Sequence, residues 1–162
     1  MSIEKFRNIT KQKLWSSHVD ILLNQSDLSQ DIVQQFSTYW IEAGHHIRAQ
    51  IANDRLLVTL LRHILTTYNG NSVKLYRGEN EKRWETGNVG VAWTTEIEVA
   101  KMFARGLNSN PLGGVLLEGD FKPEAIICGP NSHSTHLGEK QYTIDPFYST
   151  SIVVIEKFPP CY

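Results

Sequence analysis

The sequence is poor in three features that would assign the chain to a class. It has only two cysteines, Cys128 and Cys161, which cannot form the disulfide framework of a small secreted protein. Its formal net charge is −1, so no global basic field attracts nucleic acid. No apolar run approaches the roughly 20 residues of a membrane-spanning helix, and no secretion signal is found at the N-terminus. We therefore expect a cytoplasmic protein without a membrane partner.

The composition fits an ordinary globular protein. Apolar residues make up 41% of the chain and charged residues 20%, and 162 residues suffice for one hydrophobic core. We therefore predict a single domain over residues 1–162, with a helical layer at 1–70 and a sheet core at 72–158. Helices that precede the strands, without βαβ alternation, indicate the α+β class.

Apolar residues recur at helical spacing in the part of the chain before Tyr68. The group Leu14–Leu23 predicts a short amphipathic helix. A second helix is expected over Ile32–Ala43, and Gly44 is expected to close it. A third helix starts near Ile47 and continues to Leu65, either unbroken or divided at Asn53–Asp54.

From Ser72 onward the apolar period is about two residues, which predicts strands. The predicted strands are Val73–Arg77, Val91–Thr94, Val115–Leu117, Ala125–Cys128, Gln141–Ile144 and Ile152–Phe158. The charged segment 79–90 and the polar segment 129–138 are both expected to be loops. Thr95 is expected to cap a helix that ends at Gly106, with Glu98 in the capping-box position.

Three motifs lie on these predicted strands. They are Tyr76-Arg77-Gly78, then Trp93-Thr94-Thr95 running into Ala100-Lys101-Met102-Phe103-Ala104, then Glu139-Lys140-Gln141-Tyr142-Thr143-Ile144-Asp145-Pro146. In this order they resemble the Arg/Ser-Thr-Ser/Glu class of mono-ADP-ribosyltransferases, which includes bacterial toxins and phage enzymes. The resemblance covers roughly residues 73–158. It implies an ADP-ribosyltransferase-like split β-sheet core and NAD as the co-substrate.

The resemblance also implies a cofactor site on the first two motifs. Arg77 would hold the NAD diphosphate, a task that suits a bidentate guanidinium. Gly78 would let the backbone approach the nicotinamide. The other residues that we assign to the cofactor site are Trp93, Thr94, Thr95 and Phe103. Each has a structural alternative: Arg77 could be a surface residue, and the threonines are also typical of strands and N-caps.

The third motif would supply the catalytic groups together with Arg77. Glu139 would face the acceptor, whereas Gln141 occupies the position of the family's catalytic glutamate. Cleavage of the bond between nicotinamide and ribose develops an oxocarbenium-like cation, which a fixed carboxylate stabilises. Because glutamine lacks that charge, we predict that the chain as written is nearly inactive in transfer.

Three explanations of Gln141 stay open. The glutamine could be an engineered replacement, or a natural loss that leaves a non-catalytic pseudoenzyme that binds NAD or a partner. Alternatively, the register is shifted and Glu139 itself is the catalytic carboxylate. The run Tyr142–Pro146 matches the family strand and favours the first two explanations. A chance match in an unrelated α+β protein is a further alternative.

We therefore expect an NAD-dependent mono-ADP-ribosyltransferase, with NAD and an intracellular macromolecule as partners. The acceptor would be a protein side chain or a nucleobase. By analogy with relatives of this size, the setting would be a toxin–antitoxin or phage-defence system, with a neutralising antitoxin as a further partner. Trp84, beside Lys82 and Arg83, is a candidate acceptor contact. We assign no metal site, because the spacing of His133, His136 and Glu139 falls in a predicted loop.

Overall fold

A computed structural model describes residues 1–106, 108–148 and 150–161. The helices are α1 (Ile3–Lys11), α2 (Trp15–Leu23), α3 (Gln30–Ile51), α4 (Asp54–Ile64), α5 (Glu81–Glu85), α6 (Ile97–Arg105) and α7 (Ser132–His136). The strands are β1 (Val73–Asn80), β2 (Ala92–Thr94), β3 (Gly114–Phe121), β4 (Ile126–Cys128), β5 (Gln141–Ile144) and β6 (Ile152–Phe158). The predicted α+β class is confirmed. Within the described ranges, no helix combines the length and hydropathy that crossing a bilayer requires.

The chain divides into two compact units. The first comprises Met1–Thr67 and Asn131–Ser134, and the second comprises Tyr68–Pro130 and Thr135–Tyr162. The predicted helical layer and sheet core correspond to these units, apart from a few residues at the border and the short return segment at 131–134. That the two units act as one domain stays a prediction.

The first unit has a core of aromatic side chains from α1, α2 and α3. Phe6, Trp15 and Phe36 are fully buried, and the ring of Phe6 meets that of Phe36 edge-on at a centroid distance of 5.4 Å. The hydroxyl of Thr10 accepts hydrogen bonds from Trp15 Nε1 at 2.7 Å and from the Tyr39 hydroxyl at 2.6 Å. Because this network satisfies the polar ends of both rings, they can lie inside the unit.

The second predicted helix does not end at Gly44. Instead α3 continues to Ile51 through a kink at Ala43, whose φ and ψ are −135° and 16°. An interruption therefore does occur beside Gly44, as a kink within one helix, and no separate helix begins near Ile47. The alternative division at Asn53–Asp54 is confirmed, since Asn53 Oδ1 accepts from the amide of Leu56 at 3.1 Å and caps α4.

The second unit contains a six-stranded sheet in the order β4-β5-β2-β1-β3-β6, with every neighbouring pair antiparallel. The pairing of β1 with β3 runs along the whole of β1, from Val73 to Asn80. By contrast, β1 and β2 are in register at one residue pair, Tyr76 with Thr94. The two three-stranded halves of the sheet, β4-β5-β2 and β1-β3-β6, are therefore joined by fewer paired residues than any other neighbouring strands.

Helix α6 packs on β1 at Gly78. A Cβ atom at this position would lie 2.1 Å from the carbonyl oxygen of Ala100 and 2.5 Å from the amide nitrogen of Ala104. Only glycine permits this approach of helix to strand. The predicted cap of α6 at Thr95 was wrong by one residue, because the N-cap is Glu96; the predicted end at Gly106 is confirmed.

Two segments that the sequence predicts as loops are partly ordered elements. The segment 79–90 begins inside β1, where Glu79 is fully buried, and continues into α5. The segment 129–138 contains α7, in which Ser134 is fully buried. In both cases side-chain hydrogen bonds compensate the buried polar groups, which a pattern of polar letters does not reveal.

Candidate functional site

The three motifs lie on three neighbouring strands of the sheet. Thr94 of β2 is the Cα partner of Tyr76 of β1 on one side and of Gln141 of β5 on the other. Directly opposed residues of antiparallel strands project to the same face, so Thr94 and Gln141 are side-chain neighbours. Arg77 follows Tyr76 in β1, and by strand alternation its side chain starts from the opposite face.

The hydroxyl of Thr94 connects the segment before β5 with the start of α6. It donates to the carbonyl oxygen of Glu139 at 2.7 Å and accepts from the amide of Glu96 at 3.0 Å. Thr94 is itself buried, with 7% of its surface exposed. A second bond joins the same segments, because Lys140 Nζ lies 2.8 Å from Glu96 Oε1, and the hydrogen bond and charge of Glu96 raise the pKa of Lys140.

The side chains at the two predicted catalytic positions, Glu139 and Gln141, are half-buried. Neither Glu139 nor Gln141 has a side-chain hydrogen bond or ion pair with any other residue in the described ranges. Both flank Lys140, whose left-handed φ of 42° turns the chain just before β5. The Thr94–Glu139 bond fixes the backbone of this turn, while the two side chains stay available for a ligand.

Arg77 is held by a buried carboxylate. Its Nε lies 2.8 Å from Glu79 Oε2, and its Nη1 donates to the carbonyl oxygen of Ala92 at 2.8 Å. Only 15% of the Arg77 side chain is exposed, and none of Glu79. Among the residues that the structure describes, acceptors engage two of the guanidinium's five N–H groups. The other three remain available.

Glu79 is a carboxylate despite its burial. Burial raises its pKa, but the Arg77 charge and the hydrogen bonds from Gly90, Arg77 and Asn80 outweigh that effect, and the pKa lies below its ordinary value. The amides of Gly90 and Asn80 each donate to it at 2.8 Å. Burial of this charge is therefore compensated by one cation and two backbone N–H groups.

A second arginine reaches the same carboxylate from α5. Arg83 Nε lies 3.9 Å from Glu79 Oε1 and donates to the carbonyl oxygen of Asn88 at 3.2 Å. Asn80 places this helix, since its Oδ1 accepts from the amides of Lys82 and Arg83. The Arg83 side chain is 42% exposed, so its charge faces solvent more than that of Arg77 does.

Several residues predicted for the cofactor site have structural roles. Trp93 is 2% exposed, donates from Nε1 to the carbonyl oxygen of Gly90 at 3.0 Å and meets Phe121 edge-on, so it is a core residue. Gly78 serves the packing of α6, as shown above. Phe103 and Thr95 are half-buried. Phe103 Cβ would lie 3.1 Å from a Cβ at Gly78.

The structure therefore brings together part of the predicted site. Thr94, Glu139 and Gln141 form one cluster, and Arg77 forms another with Glu79, Ala92 and Gly90. A cavity of about 240 Å³ lies in the first unit and is lined by polar side chains such as Gln30, Gln34 and Asn131; it contains none of these residues. In the described ranges no three His, Cys, Asp or Glu side chains converge on a metal-sized site, and the absence of a metal stays a prediction.

Glu79 is a site residue that the sequence did not predict. Its charged neighbours suggested an exposed loop, although Arg77 and Glu79 stand two residues apart at the end of a strand. Residues at this spacing share a face of a strand, so the pair could have been predicted as an ion pair. The role of Gly90 had no such signal, because it depends on a contact across strands.

Comparisons with known proteins add no relative. No family model, no curated protein and no solved structure matches the chain.

Proposed function

We propose that this protein is an NAD-dependent mono-ADP-ribosyltransferase whose activity is suppressed by Gln141. The observation that carries the proposal is the arrangement of the three motifs, which are distant in sequence and lie side by side on β1, β2 and β5. Thr94 in the middle strand is paired with Gln141 and hydrogen-bonded to Glu139. The support comes from Thr94, Glu139 and Gln141, since the Arg77 side chain starts from the opposite face of the sheet.

The Thr94 cluster has the geometry to hold a catalytic carboxylate. Position 141 is the first residue of β5, half-buried and next to the fixed turn at Glu139–Lys140. A carboxylate there would be held at a defined place near a developing ribosyl cation. One unit charge about 4 Å from another is worth roughly 4 kcal/mol at an effective dielectric near 20, which is about a thousandfold in rate. Gln141 lacks this electrostatic contribution because its side chain is uncharged.

The sheet itself supports the proposed split-sheet fold. Its halves β4-β5-β2 and β1-β3-β6 are joined by the registered pair Tyr76 with Thr94. The strands next to the proposed site, β1 and β2, thus have the fewest paired residues. A dinucleotide could approach backbone groups of these two strands there. Arg77, whose side chain starts from the opposite face, would contact the diphosphate of a dinucleotide that crosses this seam, through the N–H groups that Glu79 and Ala92 leave available.

A non-catalytic NAD- or partner-binding protein with the same fold is the second candidate. Two observations favour it: position 141 carries no charge, and Glu79 already balances the charge of Arg77 at 2.8 Å. In either case the acceptor or partner would be an intracellular macromolecule, protein or nucleic acid, and an antitoxin-like inhibitor fits the same setting. The two candidates differ in whether a restored carboxylate produces transfer.

The test is the Gln141→Glu variant incubated with NAD labelled in its adenylate moiety and with cell lysate. We expect label on protein or nucleic acid from the variant, up to about a thousandfold above the level with the unaltered chain, because the carboxylate contributes about 4 kcal/mol at most. Mass spectrometry of the labelled fraction identifies the acceptor.

The Glu139→Gln variant is the matched control. If Glu139 is itself the catalytic carboxylate, the unaltered chain transfers label and Glu139→Gln abolishes it. NAD binding by calorimetry without transfer from folded Gln141→Glu indicates the non-catalytic protein. If that variant is folded but neither binds NAD nor transfers label, the transferase and the NAD-binding form of the second candidate are both contradicted.

A further inference from the structure

Two arginines share one buried carboxylate in the second unit. Arg77 Nε lies 2.8 Å from one oxygen of Glu79, and Arg83 Nε lies 3.9 Å from the other. The motif comparison assigns Arg77 alone to an anion, and neither Glu79 nor Arg83 belongs to any motif. The structure nevertheless places the two guanidinium groups on opposite oxygens of one fixed anchor.

The charge balance of Arg77, Glu79 and Arg83 determines which arginine adds a net attraction for an anion. Glu79 cancels the charge of Arg77, so that pair is neutral as a unit. Arg83 makes the three-residue group net positive, and 42% of its side chain is exposed. Its two Nη groups have no acceptor among the residues that the structure describes. Arg83 therefore carries the uncompensated cation, and Arg77 the oriented N–H donors.

Neighbouring residues restrict the guanidinium groups of both arginines. The Arg77 guanidinium lies over Gly90, where a Cβ atom would come within 2.1 Å of Nη2 and 2.3 Å of Cζ. Arg83 is fixed at its backbone by the Asn80 side chain and at Nε by the carbonyl oxygen of Asn88. Preorganised donors bind an anion without first losing side-chain freedom.

We infer that Glu79 is a positioning residue that holds Arg77 and Arg83 as one binding pair for a phosphate-class anion. Arg83 is the second residue, after Arg77, that contacts this anion. This inference rests on the proposed function for the identity of the anion, the diphosphate of NAD. Two guanidinium groups separated by one carboxylate suit a ligand with two neighbouring anionic groups better than a single phosphate.

The experiment compares two substitutions on α5. Arg83→Gln and Lys82→Gln remove the same charge one residue apart, but only Arg83 of the two forms an ion pair with Glu79. Titration calorimetry measures the binding of inorganic pyrophosphate and, separately, of ADP-ribose to the full chain. We expect Arg83→Gln to weaken both ligands about tenfold, as loss of one charge-assisted contact does, and Lys82→Gln to change them less than about twofold.

Equal effects of the two substitutions, or no pyrophosphate binding by the unaltered chain, would overturn the inference. The proposed function is judged separately, by transfer from Gln141→Glu. If transfer fails while the Arg83 and Lys82 variants still differ toward pyrophosphate, the anion pair stands without the transferase. If Gln141→Glu transfers label and Arg83→Gln behaves as Lys82→Gln does, the transferase stands without the pair.

A second variant tests the positioning role of Glu79. Glu79→Gln keeps the side-chain shape but removes the charge, and Glu85→Gln on the exposed part of α5 is its control. In the unaltered chain we expect the Arg77 Nε–H resonance to be protected from solvent exchange in ¹⁵N spectra. Loss of that protection in folded Glu79→Gln, together with at least fivefold weaker pyrophosphate binding, supports the role. Unchanged protection and affinity contradict it.

Discussion

At the scale of single residues, the buried Glu79 dominates the physical chemistry of the second unit. A carboxylate with no exposed surface persists because a guanidinium and two backbone amides surround it. Such an arrangement contributes little net stability when intact, but removal of one partner leaves an uncompensated charge. Substitutions of Glu79 or its partners should therefore lower the free energy of unfolding strongly, and the size of this effect should depend on pH.

The stability of the protein should fall at acid pH through Glu79. Its pKa in the folded protein is lowered from the ordinary value of 4.5, so the ionised group stabilises the fold above that value, and the contribution is lost as pH falls through the lower folded pKa. We expect Glu79→Gln to cost about 3 kcal/mol at pH 7. Urea unfolding should show this difference shrinking below pH 4.5, and a difference independent of pH would contradict the ion pair.

Gly90 should be replaceable only if Arg77 gives way. In Gly90→Ala the new Cβ would lie 2.1 Å from Arg77 Nη2, which Glu79 and Ala92 hold in place. We expect a loss of about 1–3 kcal/mol in the free energy of unfolding. In an Arg77→Ala background the same substitution should be nearly neutral, and a double-mutant cycle measures the coupling. Additive costs would show that the two residues do not conflict.

At the scale of elements, the Thr94 hydroxyl is the connection between the turn before β5, strand β2 and helix α6. Thr94→Val keeps the side-chain shape and removes the bonds to Glu139 and Glu96. Because the valine would leave a carbonyl and an amide without their partner, we expect a loss of about 1–3 kcal/mol. Thr94→Ser retains the hydroxyl and should cost clearly less in the same urea titration. Equal losses would assign the effect to packing rather than to these bonds.

Elements with a regular period were predictable, and those held by single contacts were not. The bounds of β5 and β6 were predicted correctly, because proline-containing breaks follow both runs, at Asp145-Pro146 and at Pro159-Pro160. Helix α1 was missed because it buries only Phe6 and Ile9 over nine residues. The kink at Ala43 lies beside Gly44, where the sequence predicted the end of the helix rather than a kink. Local sequence shows a tendency to turn at Gly44 but not whether the helix resumes.

At the scale of the whole molecule, the predicted site was recovered in part. The resemblance to the transferase class assigned positions 94 and 141 to one site, and the structure pairs them directly across β2 and β5; that they form an NAD site stays a prediction. The spacing of Arg77 and Glu79 could have predicted their ion pair, whereas the bond from the Gly90 amide to Glu79 could not have been predicted, because it joins residues 11 positions apart. Trp93 was assigned to the cofactor site by its motif, whereas its apolar bulk placed it in the core.

The most direct test of the transferase proposal does not require the acceptor. Nicotinamide release from NAD is measured for the unaltered chain and for Gln141→Glu, with both proteins shown to be folded by circular dichroism. The proposal predicts that the restored carboxylate speeds release by about a thousandfold, the rate equivalent of one charge near the developing cation. Release by Gln141→Glu at the same rate as the unaltered chain would contradict it.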